Sequence, residues 1–157
     1  MRKFLPLLLI VCLCLTACGG RTAELATHTY EDLSIQIPVD YIDLSGESYA
    51  EGLDFVFGLD PIAINGVREE KATFQAYGLE LDLEGYAKFL LLANQVNAQT
   101  QERDGILTFS YVSGDYTYMV TLHETVEAFW TVQAYCATGD FANAEKDMWK
   151  LLSSVTV

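Results

Sequence analysis

Positive charge is scarce in this chain: nine Lys and Arg stand against 22 Asp and Glu. Such a surface repels phosphate backbones and anionic headgroups, so no nucleic acid is expected as a partner. Histidine occurs twice, at His28 and His123, which leaves little material for a histidine metal centre. No serine sits in a G-x-S-x-G elbow, and no glycine-rich loop is present to cradle a phosphate. Cysteine is limited to Cys12, Cys14, Cys18 and Cys136. The only long apolar run is at the start, from Phe4 to Leu15. As a helix it would be roughly 18 Å long, too short for a hydrocarbon core of about 30 Å.

That run follows Met1-Arg2-Lys3 and ends in Leu15-Thr16-Ala17-Cys18. A basic start, a short apolar core and small residues before a cut site describe an export signal. The LTAC tetrad resembles the lipobox of bacterial lipoproteins. The resemblance implies a signal peptide over 1–17 and a diacylglycerol on the thiol of Cys18, the lipid attachment site. The chain would then sit lipid-anchored at the extracytoplasmic face of the cell membrane, held there by two acyl chains. Removing 1–17 would leave seven basic residues against 22 acidic ones, a net charge of −15. Cys136 would be the only unmodified thiol, so packing rather than disulfides has to stabilise the domain.

After Cys18 the polar stretch to Thr29 reads as a short flexible tether (18–29), and 30–157 as one domain. Leu33 to Ile37 alternates apolar and polar residues as a strand, closed by Pro38. Leu53 to Phe57 is a second strand, and Ile62 to Glu69 a third, interrupted by Gly66. Asp82 can cap a helix whose buried face would be Tyr86, Phe89, Leu90 and Ala93. Three strands follow. Leu107, Phe109 and Tyr111 share a face of the first, and Ser113-Gly114-Asp115 makes a hairpin turn. Tyr116, Tyr118, Val120 and Leu122 share a face of the second, opposite Met119 and His123. Trp130 to Cys136 and Phe129 with Tyr135 divide the third. Asp140 can cap a last helix, Phe141 to Leu152, before a short extended tail. This order gives an α+β fold with a mainly antiparallel sheet of about six strands and two main helices, covered on both faces.

The strand into Pro38, the stretch NGVREEKATFQAYGLELDLEGYAKFLL, the meander and the closing FANAEKDMWKLLSSVTV resemble the PsbP/Mog1-type domain. The resemblance implies an α/β/α sandwich and a binding or assembly role, with no shared catalytic site to carry over.

Chemistry-bearing groups add little. His123-Glu124-Thr125-Val126-Glu127 begins like the zinc motif HExxH but has Glu where the second histidine belongs, and it leaves a strand rather than lying on a helix. A strand-end histidine near solvent is the plain reading. Glu80 to Gly85 mimics the opening of a calcium loop, but the twelfth position falls on Leu91. Helix capping by these acids accounts for them, and no cofactor or metal is expected. Cys136 lies among apolar neighbours that would raise its pKa, so it reads as core. Glu69-Glu70 is unremarkable in so acidic a chain. Phe109, Tyr111, Tyr116, Tyr118, Phe129, Trp130 and Tyr135 gather on the meander; an incompletely covered face there would be an aromatic platform. The expected function is a non-enzymatic binding or accessory lipoprotein with an unknown protein or envelope partner. The alternatives are a hydrolase assembled around His123 and a structural envelope component.

Overall fold

The computed structural model describes residues 23–157. The expected signal peptide over 1–17 and the expected lipid site at Cys18 lie outside the described residues. Nine strands and three α-helices follow in order. They are β1 (Leu25–Tyr30), β2 (Leu33–Pro38), β3 (Ile42–Asp43), β4 (Phe55–Leu59) and β5 (Ile62–Glu70). Then come α1 (Lys71–Ala76), α2 (Leu83–Ala93), β6 (Gln101–Arg103), β7 (Ile106–Ser113), β8 (Tyr116–Glu124), β9 (Ala128–Ala137) and α3 (Phe141–Leu152). The six expected strands are β2, β4, β5, β7, β8 and β9. The structure adds the short or polar strands β1, β3 and β6.

Seven strands form one antiparallel sheet in the order β3-β4-β5-β9-β8-β7-β6, and β1 and β2 form a separate hairpin. Apolar residues on both sides of β8 and β9 require cover on both faces. On one face Trp130, Val132, Ala134, Cys136 and Met119 pack with Phe55, Phe57 and Ile64. Leu33, Ile35 and Ile37 of the hairpin and Met148, Leu151 and Leu152 of α3 close that side. On the other face Phe109, Val120, Leu122 and Phe129 meet Phe74 of α1 and Tyr86 and Ala87 of α2. The result is an α+β fold in three layers, mostly antiparallel in its sheet.

The expected tether over 18–29 gives way from Leu25 onward to strand β1, which pairs along its whole length with β2. Its residues alternate between exposed and half-buried, because only one side of this outer strand meets the protein. That weak contrast hides the strand in a polar sequence. At the other extreme, Thr156 exchanges backbone hydrogen bonds with Ser34 of β2, 2.8 and 2.9 Å long.

Gly66 does not weaken β5, which runs unbroken for nine residues. A Cβ at position 66 would lie 2.2 Å from Cε1 of Phe55. The missing side chain is therefore the space that the Phe55 ring occupies against the strand. Asp82 caps α2 as expected, its Oδ1 accepting from Gly85 N at 2.7 Å. Asp140 precedes α3 but has helical backbone angles and no side-chain capping bond. Its backbone carbonyl begins the helix instead, accepting from Ala144 N at 3.0 Å.

The buried face of α2 is turned from the expected one. Tyr86 and Ala87 are fully buried, while Phe89 is 37% exposed and Ala93 is exposed. Tyr86 sets this rotation: its ring stacks on Phe129 of β9 at a centroid distance of 4.4 Å.

Candidate functional site

Three adjacent strands each place a tyrosine on the face that α1 and α2 cover. Cross-strand register sets Tyr111 of β7 opposite Tyr118 of β8, and Tyr118 opposite Tyr135 of β9. Directly opposed side chains in an antiparallel pair are close enough for ring contact. The rings of Tyr111 and Tyr118 stack at 4.8 Å, and those of Tyr118 and Tyr135 at 5.2 Å. Tyr116, next to the hairpin turn, meets Tyr135 edge-on at 6.0 Å.

Stacking occupies the ring faces, which leaves ring edges and hydroxyls for other contacts. Tyr111, Tyr118 and Tyr135 are half-buried and Tyr116 is exposed. Burial, reinforced by the neighbouring phenols, raises the pKa of Tyr111, Tyr118 and Tyr135. The row therefore stays neutral near neutral pH and offers hydrogen-bond donors beside apolar surface. Such side chains are enriched where proteins meet partners.

A cleft of about 390 Å³ lies beside this row, between the C-terminal half of α2 and the sheet. Phe89, Leu90, Leu91 and Val96 form its helix side, with Phe109 and Val120 opposite. Part of its polar lining comes from β5 and β9: Glu69, Thr131 and Gln133, which share one sheet face through the pairing of those strands, and Asn94 at the end of α2 and Tyr111 add to it. A second cleft of about 540 Å³ shares Glu69 and Phe89 and continues toward Tyr77 and Leu79 beyond α1. Phe89 thus stands between two clefts with Glu69 common to both.

Glu69 is held from below by a directed chain of hydroxyls. Tyr86 Oη donates to Glu69 Oε2 at 2.5 Å and lies 2.8 Å from Thr131 Oγ1. Since the phenol proton goes to the carboxylate, Thr131 must donate to the phenol oxygen. Burial first, and the bond to Glu69 second, push the Tyr86 phenol up, so it remains a donor. Tyr111 Oη reaches Gln133 Oε1 at 3.5 Å, joining the tyrosine row to the cleft.

A further cavity, about 550 Å³, lies elsewhere, between the β1–β2 hairpin, the β4–β5 turn and α3. Leu25, Pro38, Ile62 and Leu151 line it, with Asp147 and Lys150 at α3. Tyr41 there has its pKa pushed up to about 12 by burial and by Asp147 and Asp40. Its lining offers no nucleophile with an adjacent base.

His123 is buried rather than near solvent, 8% exposed on β8 opposite Trp130. Its Nε2 lies 3.1 Å from Thr121 Oγ1, and burial lowers its pKa to about 4. No carboxylate hydrogen-bonds to it among the described residues. Among the described residues the ring thus has a hydroxyl beside it but no acid to orient it, and it lines none of the clefts above. Glu124 instead binds Lys71 Nζ at 2.6 Å. Cys136 is buried, and burial raises its thiol pKa, with Asp140 adding to the effect. Within Glu80 to Gly85, the carboxylate of Asp82 serves as the helix cap.

Sequence reasoning gathered the tyrosines but passed over Glu69. Its position was visible in the alternation of β5, where Val67 and Glu69 share a face. The exposure of Phe89 was hidden, because periodicity gives the width of an apolar stripe and not its rotation.

No family model matches the chain, and no curated protein matches it. Among solved structures, it is similar to the solution structure of cyanobacterial PsbP (CyanoP) from Synechocystis sp. PCC 6803. The TM-score is 0.54 at 16% identity, covering 92% of this chain and 99% of that one. The chain carries a PsbP-like fold.

Proposed function

We propose that this protein is an accessory binding module of the bacterial envelope, anchored through lipid on Cys18 and presenting its tyrosine face to a protein partner. The observation that carries the reading is the row Tyr111-Tyr118-Tyr135, stacked and half-buried, with Tyr116 exposed at its end. A row of this kind left partly open is costly to keep in water unless something covers it. The PsbP-like fold supports a binding role rather than a catalytic one, and so does the failure of His123 to gather an acid. The acidic composition favours a partner with positive charge.

A photocrosslinking amino acid at position 116 in living cells tests the binding face. One discrete adduct, lost when Tyr111 and Tyr118 are both changed to Ser, is the expected result. A smear, or an adduct indifferent to those changes, would refute the reading. Anchoring is tested separately. Cys18→Ser should release the protein from the membrane fraction and abolish fatty-acid labelling; retention in the membrane would remove the lipid anchor.

A further inference from the structure

We infer that the cleft beside the tyrosine row binds the side chain of a lysine supplied by the partner, with Glu69 as the acceptor. This rests on that face being the partner-binding face.

Four observations carry it. Glu69 lines the two clefts on either side of Phe89. None of the described Lys or Arg residues forms an ion pair with it: Arg68 is committed to Glu31, Asp32 and Glu70, Lys71 to Glu124 and Arg103 to Glu145. One carboxylate oxygen is occupied by Tyr86, while Oε1 has no hydrogen-bond partner among the described residues and is not buried, so it is open to water or to a ligand. The same cleft has apolar walls from Phe89, Leu90, Phe109 and Val120. A carboxylate with one oxygen open in a cleft that also has apolar walls favours a cation that can bring its own apolar stem.

The geometry selects lysine over arginine. A guanidinium binds best when both carboxylate oxygens accept in parallel. Here Tyr86 already holds one of the two lone pairs of Oε2, so a guanidinium in the paired geometry would have to share that oxygen with the phenol. An ammonium is a point donor and needs only one oxygen, while its other protons can reach Gln133 or water. The four-carbon stem then lies along Leu90 and Phe109, and the backbone of the partner crosses the tyrosine row.

The test is an NMR titration of the full chain with Nα-acetyl-lysine N-methylamide, its arginine and norleucine counterparts, and n-butylamine. The expected result is shift changes around Glu69 and Gln133 with the lysine probe. Glu69→Gln should weaken that binding by about tenfold or more, the scale of one charge-assisted hydrogen bond. Arginine and norleucine probes should bind more weakly. Tyr86→Phe, which frees Oε2, should narrow the gap between arginine and lysine; this variant keeps the ring stack should Glu69→Gln fail to fold. Equal binding of norleucine, binding by n-butylamine alone, or no response overturns the inference. A silent lysine probe with an intact crosslink at position 116 removes this inference and leaves the binding face. A lysine response without a crosslink removes the binding-face reading while the cleft keeps its ligand.

Discussion

Asp32 and Trp130 stand 98 residues apart and are joined by a hydrogen bond of 2.7 Å, from the indole Nε1 to Asp32 Oδ1. Asp32 lies in the turn of the outer hairpin, and Trp130 is wholly buried on the central strand β9. Arg68 Nε reaches the same carboxylate oxygen at 3.4 Å. Burial works against the charge on Asp32, but side-chain hydrogen bonds, that of Trp130 among them, and the Arg68 guanidinium hold its pKa below the usual range. The hairpin is thus fastened to the sheet by a polar contact at its turn as well as by the apolar side chains of β2.

Asp32→Ala leaves the indole N–H of a buried tryptophan without an acceptor. The expected loss is about 2 kcal/mol of stability, the desolvation cost of an orphaned donor. Chemical denaturation measures it, and Trp130 emission should shift as the hairpin loosens. A loss below about 0.5 kcal/mol would show that the apolar contacts of β2 hold the hairpin alone.

Gly66→Ala should destabilise the protein by about 2–3 kcal/mol, as overpacking does in a filled core. The added methyl would fall within 2.2 Å of the Phe55 ring, which has no room to withdraw. Combining it with Phe55→Leu should recover part of the loss, a non-additivity that a double-mutant cycle detects. Simple additivity would contradict this packing.

His123 makes stability depend on pH. Its pKa is 6.5 in the unfolded chain and about 4 in the folded one, because the buried ring resists charge. Between those values the unfolded state binds a proton that the folded state does not, so stability falls as pH drops from 6.5 toward 4. The difference amounts to about 3 kcal/mol across that window. Relative to His123→Gln, the wild type should lose this much between pH 7 and pH 4. Parallel stability curves for the two proteins would place the ring in water.

Asp82→Ala removes the cap of α2 and should cost about 1 kcal/mol. Since α2 forms one wall of both clefts, amide exchange in its first turn should rise more than in the central strands. Unchanged exchange there would mean that the Tyr86–Phe129 stack fixes the helix start unaided.

The strands that form the body of the sheet were legible because each buries large apolar residues at period two. Three strands and one helix were not. β6 is Gln101-Glu102-Arg103, polar throughout; Arg103 lies over the ring of Trp149 at 4.2 Å, a contact 46 positions away that no local pattern reports. Helix α1 has only six residues and no side-chain cap, and is held by Phe74 against Tyr86 and Phe129. The tyrosine row was foreseeable, since strand alternation puts Tyr111, Tyr118 and Tyr135 on matching faces. Glu69 was not, because its meaning depends on which carboxylates in an acidic chain lack a cation, and that is a property of three-dimensional pairing.

Strand β2 has the first described strand along one side and Thr156 bonded at Ser34 on the other. The two extremes of the described chain are therefore moored to a single neighbour, the first at its Pro38 end and the last toward its Leu33 end. A linker of about ten residues, long enough to run back along β2 at roughly 3.3 Å per residue, should permit circular permutation, with new ends opened at Gly114 in the hairpin turn and the layers unchanged.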